Sequence, residues 1–280
     1  MPRYNALALT TAYWKPKTDY LIAIVEAIAK KVKDGDFVVV SEKAISTARG
    51  NIVDESRVQP SLTAKLLAML WMPVVWGYFL GFLSRFGKRL LLRIRSYPPE
   101  NGSRHKQVAL ENAGLPQALM FGSEGGIDGS NLPYSFVSLP LQDSQAEANA
   151  IRQRIMQQLG KRVTVVIVDT DKTYGFRNFY FTPRPKPMKG INSGGGVAAY
   201  VVGRALRLKR RPTPLAFAGV RLPVETALTI ANVADKARGP GSGATVWDMA
   251  ARFKVPATGV SWGMLAQLNH KPVVIVRKAT

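Results

Sequence analysis

The chain has 280 residues, 46% of them apolar and 20% charged, with no low-complexity tract, so it is expected to bury a sizeable core and cannot be a disordered tail. Thirty-nine Lys and Arg against eighteen Asp and Glu give a net charge of +21, a field that favours polyanions: nucleic acid, anionic lipid or phosphate-rich small molecules. Zero cysteines exclude disulfides, thiolate zinc sites and a cysteine nucleophile, and His105 and His270 alone argue against a multi-histidine centre or a serine triad. A metal would then fall to carboxylates and hydroxyls, which suit Mg²⁺ or Mn²⁺.

The first strand is read over Met1–Leu9, without the long apolar core of a secretory signal, so the expected location is the cytoplasm. Thr18 is the expected cap of a helix in which Leu21, Ile24, Ile28 and Val32 recur at helical spacing, with Gly35 as its stop. A buried strand Phe37-Val38-Val39-Val40 follows, and the polar segment 41–50 beyond it is placed where α/β proteins put ligand-contacting loops. From Leu66 to Ser84 run nineteen uncharged residues, bounded by Lys65 and Arg85 and followed by Lys88, Arg89, Arg93 and Arg95. A straight helix of that length reaches about 28 Å, yet Pro73, Gly77 and Gly81 stand against a simple crossing. Residues 66–95 are therefore read as an apolar and basic helical insertion. It either makes a peripheral contact with a membrane surface or buries itself against protein.

Further on, Gly122–Asn131 is Gly-rich, Ser144 is the expected cap of a helix to about Leu159, and Val163–Val168 is a strand with Asp169 and Thr170 at its exit. Gly194–Gly196 leads into a helix carrying Arg204 and Arg207, Gly239–Gly243 leads into a capping-box helix start at Thr245, and Val273–Val276 is the last strand. Either Gly-rich stretch suits a phosphate at a helix N-terminus or a loop with special backbone angles, and neither is a P-loop. The run Arg204, Arg207, Lys209, Arg210, Arg211 reads as a solvated face or as a receptor for an acidic substrate tail. His105 and His270 read as structural or surface residues. Asp128, Asn131, Asp169 and Thr170 are the oxygen-bearing side chains placed to hold a hard cation beside a nucleoside triphosphate, or simply to shape turns and cap elements.

Three segments, Val39–Gly50, Asn112-Ala113-Gly114 with Gly126-Ile127-Asp128-Gly129-Ser130-Asn131, and Val165–Thr170, together resemble the coenzyme F420-0:L-glutamate ligase family over about Leu7 to Val276, with the insertion outside the likeness. The resemblance implies an α/β fold with mixed sheets in two intertwined lobes of a single ligase-like domain, 1–280, assembled as a homodimer. It also implies GTP as co-substrate, Mg²⁺ or Mn²⁺, and a phosphate-containing deazaflavin receiving L-glutamate. By that likeness Asp128, Asp169, Thr170 and Glu225 are metal ligands. Glu42, Lys43, Ser46, Thr47 and Asn131 line the nucleotide site, Thr47 standing where the family has lysine, so that the cationic contact falls to Lys43 or Arg49. Lys172 or Arg177 replaces the arginine that the family carries after Asp-Thr, and Arg204 steadies transferred phosphate or acceptor charge. The alternative is a non-catalytic ligase-like binding protein on anionic membranes. Nucleic acid is not the expected partner, because the basic residues are not interleaved with aromatics in a recognised motif.

Overall fold

A computed structural model describes residues 3–122, 124–241, 243 and 245–279. Met1 and Pro2 of the expected first strand, and Ser123 and Ser242 of two Gly-rich stretches, lie outside the described residues. The fold is mixed α/β, and the chain divides into two compact units that alternate along the sequence. Met1–Ile52, Gly129–Thr170 and Arg211–Thr280 form the first; Val53–Asp128 and Asp171–Arg210 form the second. Two of the links at which the chain passes from one unit to the other follow Asp128 and Thr170 directly. Its strands include β1 (Tyr4–Thr11), β2 (Phe37–Ser41), β3 (Thr164–Phe176), β4 (Phe179–Thr182), β5 (Lys209–Ala218) and β6 (His270–Lys278).

In the first unit β1 pairs antiparallel with β6 (Leu7 opposite Ile275) and β6 antiparallel with β2 (Val39 opposite Val274). β2 then runs parallel to the start of β3 (Val39 opposite Val166), so the sheet is mixed. β-branched runs suit this place because both faces are covered. Val38, Val40, Val165 and Ile167 share a core with Ile24 and Ile28 of helix Tyr20–Ile28 and with Ile151 and Ile155 of helix Ser144–Leu159. The alternate residues Val39, Val166 and Val274 are equally buried and point to the other side, where helix Val224–Arg238 packs on β1, β2 and β6.

Four sequence readings are corrected here. Asp19, not Thr18, caps the first helix, accepting from the Ile22 N–H, and that helix ends at Ile28, well before Gly35. Asp143, not Ser144, caps the helix to Leu159, accepting from the Ala146 N–H at 2.8 Å. Segment 41–50 is not an open loop but holds helix Glu42–Ala48, most of it buried. β3 does not end at Asp169: the strand continues to Phe176, with Asp171, Thr173 and Tyr174 buried, and its second half pairs with β4 (Tyr174 opposite Phe181).

The second unit contains the insertion. Leu62–Leu83 is one continuous helix, so Pro73 does not break it. The stretch Leu67–Leu80 is wound as a π-helix, in which each N–H reaches five residues back, as Gly81 N–H does to the Trp76 carbonyl. Pro73 lies inside this stretch, and the two glycines serve packing. A Cβ at Gly77 would fall 2.8 Å from Arg95 Cγ, and one at Gly81 would fall 2.5 Å from Leu91 Cδ2 on helix Lys88–Arg95. Met72, Trp76, Phe86, Leu91 and Ile94 form the local core, with Trp76 stacked on Phe86 at 5.6 Å.

Candidate active site

In the first unit, helix Glu42–Ala48 starts at the end of β2 and aims Lys43 at the Gly-Ser-Asn turn. Its Nζ donates to Ser130 Oγ at 2.8 Å and to the Ser130 carbonyl at 3.2 Å. Asn131 follows in a left-handed conformation (φ +57°), and its carbonyl accepts the Tyr13 hydroxyl. The Gly239–Gly241 stretch closes against it: a Cβ on Gly241 (φ +61°) would lie 2.6 Å from Asn131 Oδ1, so this glycine is required by close approach. The other residues expected to line a nucleotide face the interior. Glu42 is buried with Oε1 accepting the Leu141 N–H at 2.8 Å, Ser46 is fully buried, and buried Thr47 donates Oγ1 to the Lys43 carbonyl. Arg49 is paired with Glu147, which also accepts the Tyr20 hydroxyl.

Asp169 and Thr170 are neighbours on β3. Asp169 is buried and Thr170 exposed, the side chains standing on opposite faces as strand geometry requires. Sequence reasoning missed a cation whose charge acts on Asp169. Arg238, the last residue of helix Val224–Arg238, has its guanidinium buried with Nε and Nη2 without hydrogen-bond partners. Burial lowers its pKa, while the negative charges of Asp235 and Asp169 pull it back up. An arginine ahead of glycine at a helix end reads in sequence as an ordinary C-terminal cation; its burial was not legible. His270 belongs to the same set. Burial, reinforced by the positive charge of Arg238 and opposed by a hydrogen bond with the Ala12 carbonyl, pushes it down to about 4, so it is neutral near pH 7. Its ring packs on Tyr13 at 4.9 Å and on Trp14 at 5.7 Å. Asp169, Arg238, His270, Tyr13, Asn131, Ser130 and Lys43 are thus linked through successive interactions in one unit. Glu225, on the first turn of the Arg238 helix, gives both carboxylate oxygens to Arg211 at 2.7 and 2.8 Å. Arg211 is therefore a buried ion-pair partner and not part of a solvated basic face.

In the second unit, half-buried Asp128 follows the buried Ile127. Lys172 is half-buried on β3, its carbonyl accepting Thr182 Oγ1 at 3.2 Å. Arg177 sits exposed in the two-residue turn between β3 and β4 (φ +53°), its guanidinium 5.6 Å from the Phe176 ring. Arg204 donates Nε to the Ser84 carbonyl at 2.8 Å and lies over Phe86 and Tyr200. Gly196, in the Gly-rich stretch before helix Val197–Ala205, lies against Pro116: a Cβ there would be 2.2 Å from the Pro116 carbonyl oxygen, which accounts for that glycine by packing. His105 is structural, bridging Glu55 (2.6 Å) and Glu124 (3.1 Å), while buried Lys106 meets Glu124 at 2.7 Å. Burial opposes charge on both His105 and Glu124, but their neighbours prevail. Glu55 and Glu124 push His105 up to about 10, and Lys106 and His105 hold Glu124 down at about 2. Among the described residues no group of three or more His, Asp or Glu side chains suited to a metal ion comes together.

Comparison with known proteins places this set in context. The chain is 34% identical to an uncharacterized protein of Methanocaldococcus jannaschii over 98% of its own length and 96% of that protein's. It is 31% identical, over 53% of each chain, to the coenzyme F420:L-glutamate ligase of Archaeoglobus fulgidus. Residues 9–193 match the family model for F420-0:gamma-glutamyl ligase, a range that contains Lys43, Asp128, Ser130, Asn131, Asp169 and Thr170. The chain belongs to the F420-0:gamma-glutamyl ligase family.

Proposed function

We propose that this chain is a GTP- and divalent-metal-dependent γ-glutamyl ligase that forms an amide bond on coenzyme F420-0 or a related phosphate-containing acceptor. The observation that carries the reading is Arg238. A guanidinium whose Nε and Nη2 are buried without hydrogen-bond partners, beside the charges of Asp235 and Asp169, offers donors that phosphate or carboxylate oxygens would satisfy.

In the proposed reaction a carboxylate oxygen of the acceptor attacks the γ-phosphorus of GTP. The bond from that phosphorus to the β,γ-bridging oxygen breaks, giving GDP and an acyl phosphate. The amine of L-glutamate then attacks the acyl carbon, the C–O bond to phosphate breaks, and inorganic phosphate and a proton leave. Lys43, anchored on Ser130, and Arg238 hold and neutralise phosphoryl oxygens, and Asn131 contacts the nucleotide; the protein's part is positioning and charge stabilisation. When bound, Mg²⁺ or Mn²⁺ supplies further charge neutralisation. Asp169 is its proposed carboxylate, a hard oxygen donor of the appropriate kind. In the same unit the Thr170 side chain faces away from that of Asp169, and Glu225 would have to give up Arg211. Thermal unfolding with GTP, with and without Mn²⁺, tests the reading. Metal-dependent stabilisation by GTP supports it, and indifference to nucleotide in both conditions refutes it.

A further inference from the structure

We infer that the outer face of helix Leu62–Leu83, with the basic segment after it, is a docking surface for an anionic lipid bilayer, on which the helix lies in the headgroup plane. The inference does not depend on the ligase reading.

Its first support is the split between the helix's two sides. Ala64, Leu67, Ala68, Met72, Trp76, Gly77 and Gly81 are buried in the second unit. The opposite side presents Leu62, Leu66, Met69, Leu70, Val74, Tyr78, Phe79, Phe82 and Leu83 to solvent, with Met69 at 60% and Phe79 at 63% exposed. Both sets recur every four to five residues along the π-wound stretch, so the exposed set is one continuous stripe. A stripe of this length on a folded protein marks an interaction site.

The second support is charge. Between Ser56 and Pro99 there are seven Lys and Arg and no Asp or Glu. Lys65, Arg85, Lys88 and Arg89 are exposed, and Leu92 beside them is 52% exposed. An apolar stripe beside cations matches a surface of acyl chains under anionic headgroups. A second copy is disfavoured, because an isologous contact would bring the same cations of both chains together.

The third support shows why the helix lies on the bilayer and does not cross it. Trp71 and Trp76 both donate their Nε1–H to the Leu119 carbonyl, at 2.9 and 2.7 Å, and Arg95 Nε donates to the Gly77 carbonyl at 3.1 Å. The inner side is tied down by these bonds and by its core, while a crossing would require that side to leave them.

The test is co-sedimentation of the full chain with vesicles of phosphatidylcholine alone and of phosphatidylcholine mixed with phosphatidylglycerol, alongside the mass of the free protein in solution. Binding is expected to the mixed vesicles only, weakening with salt. Reversing Arg85, Lys88 and Arg89 to Glu should lower the partition coefficient roughly hundredfold or more, from about 1 kcal/mol per basic residue at such a surface and tenfold per 1.4 kcal/mol. Replacing Leu70, Phe79 and Phe82 by Ser should remove the part of binding that survives high salt. All six side chains are exposed or lie outside the core, and unchanged thermal unfolding confirms that both variants fold. No binding to anionic vesicles, or equal binding by both variants, overturns the proposal. So does a dimer that the Ser variant converts to monomer, which would make a second copy the occupant.

Discussion

The guanidinium of Arg238 lies in the electrostatic field of Asp235, three residues before it, and of the Asp169 carboxylate, with Nε and Nη2 buried and lacking hydrogen-bond partners. These are the donors that the proposed phosphate contact would use. Arg238→Met should therefore reduce GTP turnover by roughly a hundredfold or more, the scale on which a donor to a developing oxyanion counts. It should change thermal stability only modestly, because the loss of two unsatisfied donors is set against the loss of the positive charge near Asp235 and Asp169. Arg238→Lys should recover only part of the activity, because an ammonium lacks the planar fork. Steady-state kinetics beside thermal unfolding checks this, and a purely structural arginine would show loss of stability instead.

Asp169 and Thr170 face opposite sides of β3, so their side chains should respond differently. Asp169→Asn should abolish the dependence of GTP binding on Mn²⁺, whereas Thr170→Val should retain it with little change in affinity. Mn²⁺ titration followed by calorimetry distinguishes the two, and equal losses in both would show that the strand is irregular at this point.

Lys43 is anchored on Ser130 at 2.8 Å, at the Ser130-Asn131 turn. Lys43→Met should raise KM for GTP about tenfold or more, the worth of a charge-assisted hydrogen bond. The effect should shrink as salt screens the remaining cations. A variant with unchanged KM would remove Lys43 from the nucleotide site.

The buried trio of His105, Lys106 and Glu124 holds the second unit together. Glu124→Gln leaves Lys106 fully buried without its counter-charge and should cost about 3 to 5 kcal/mol. Glu124 is held at about 2 against an ordinary 4.5, so its contribution is present above pH 4.5 and is lost as pH falls toward 2. His105 is raised to about 10 from 6.5, so its contribution is full below pH 6.5 and is lost as pH rises through 10. The gap between wild type and a His105→Gln, Glu124→Gln double variant should therefore be widest between pH 4.5 and 6.5. Chemical unfolding across pH measures it, and a flat difference would contradict the assignment.

The β-branched runs at Val38–Val40 and Val165–Ile167 were legible because a strand buried on both faces has no competing pattern. Helix caps slipped by one residue where two polar candidates stood side by side, Thr18 beside Asp19 and Asp143 beside Ser144. Glu42, Ser46 and Thr47 read as polar and so as loop, whereas the helix hides them: Glu42 and Thr47 are hydrogen-bonded to main-chain groups that periodicity does not reveal. In sequence Pro73, Gly77 and Gly81 speak only against a membrane crossing, and the helix Leu62–Leu83 carries all three without interruption. Within the candidate site the motif residues Asp169 and Asn131 were visible as short spaced elements. Arg238 was invisible, since beside its helix neighbour Asp235 it reads as an ordinary surface pair, and the burial of its Nε and Nη2 does not show in sequence.

The central claim is tested most directly by incubating the full chain with coenzyme F420-0, L-glutamate, GTP and Mn²⁺ and following the acceptor by mass spectrometry and the nucleotide by chromatography. The account predicts an acceptor carrying one added glutamyl residue, with GDP and phosphate released in equal amounts and only when all four components are present. Amide formation without GTP, or GTP consumed at the same rate whether or not acceptor and glutamate are supplied, would contradict it.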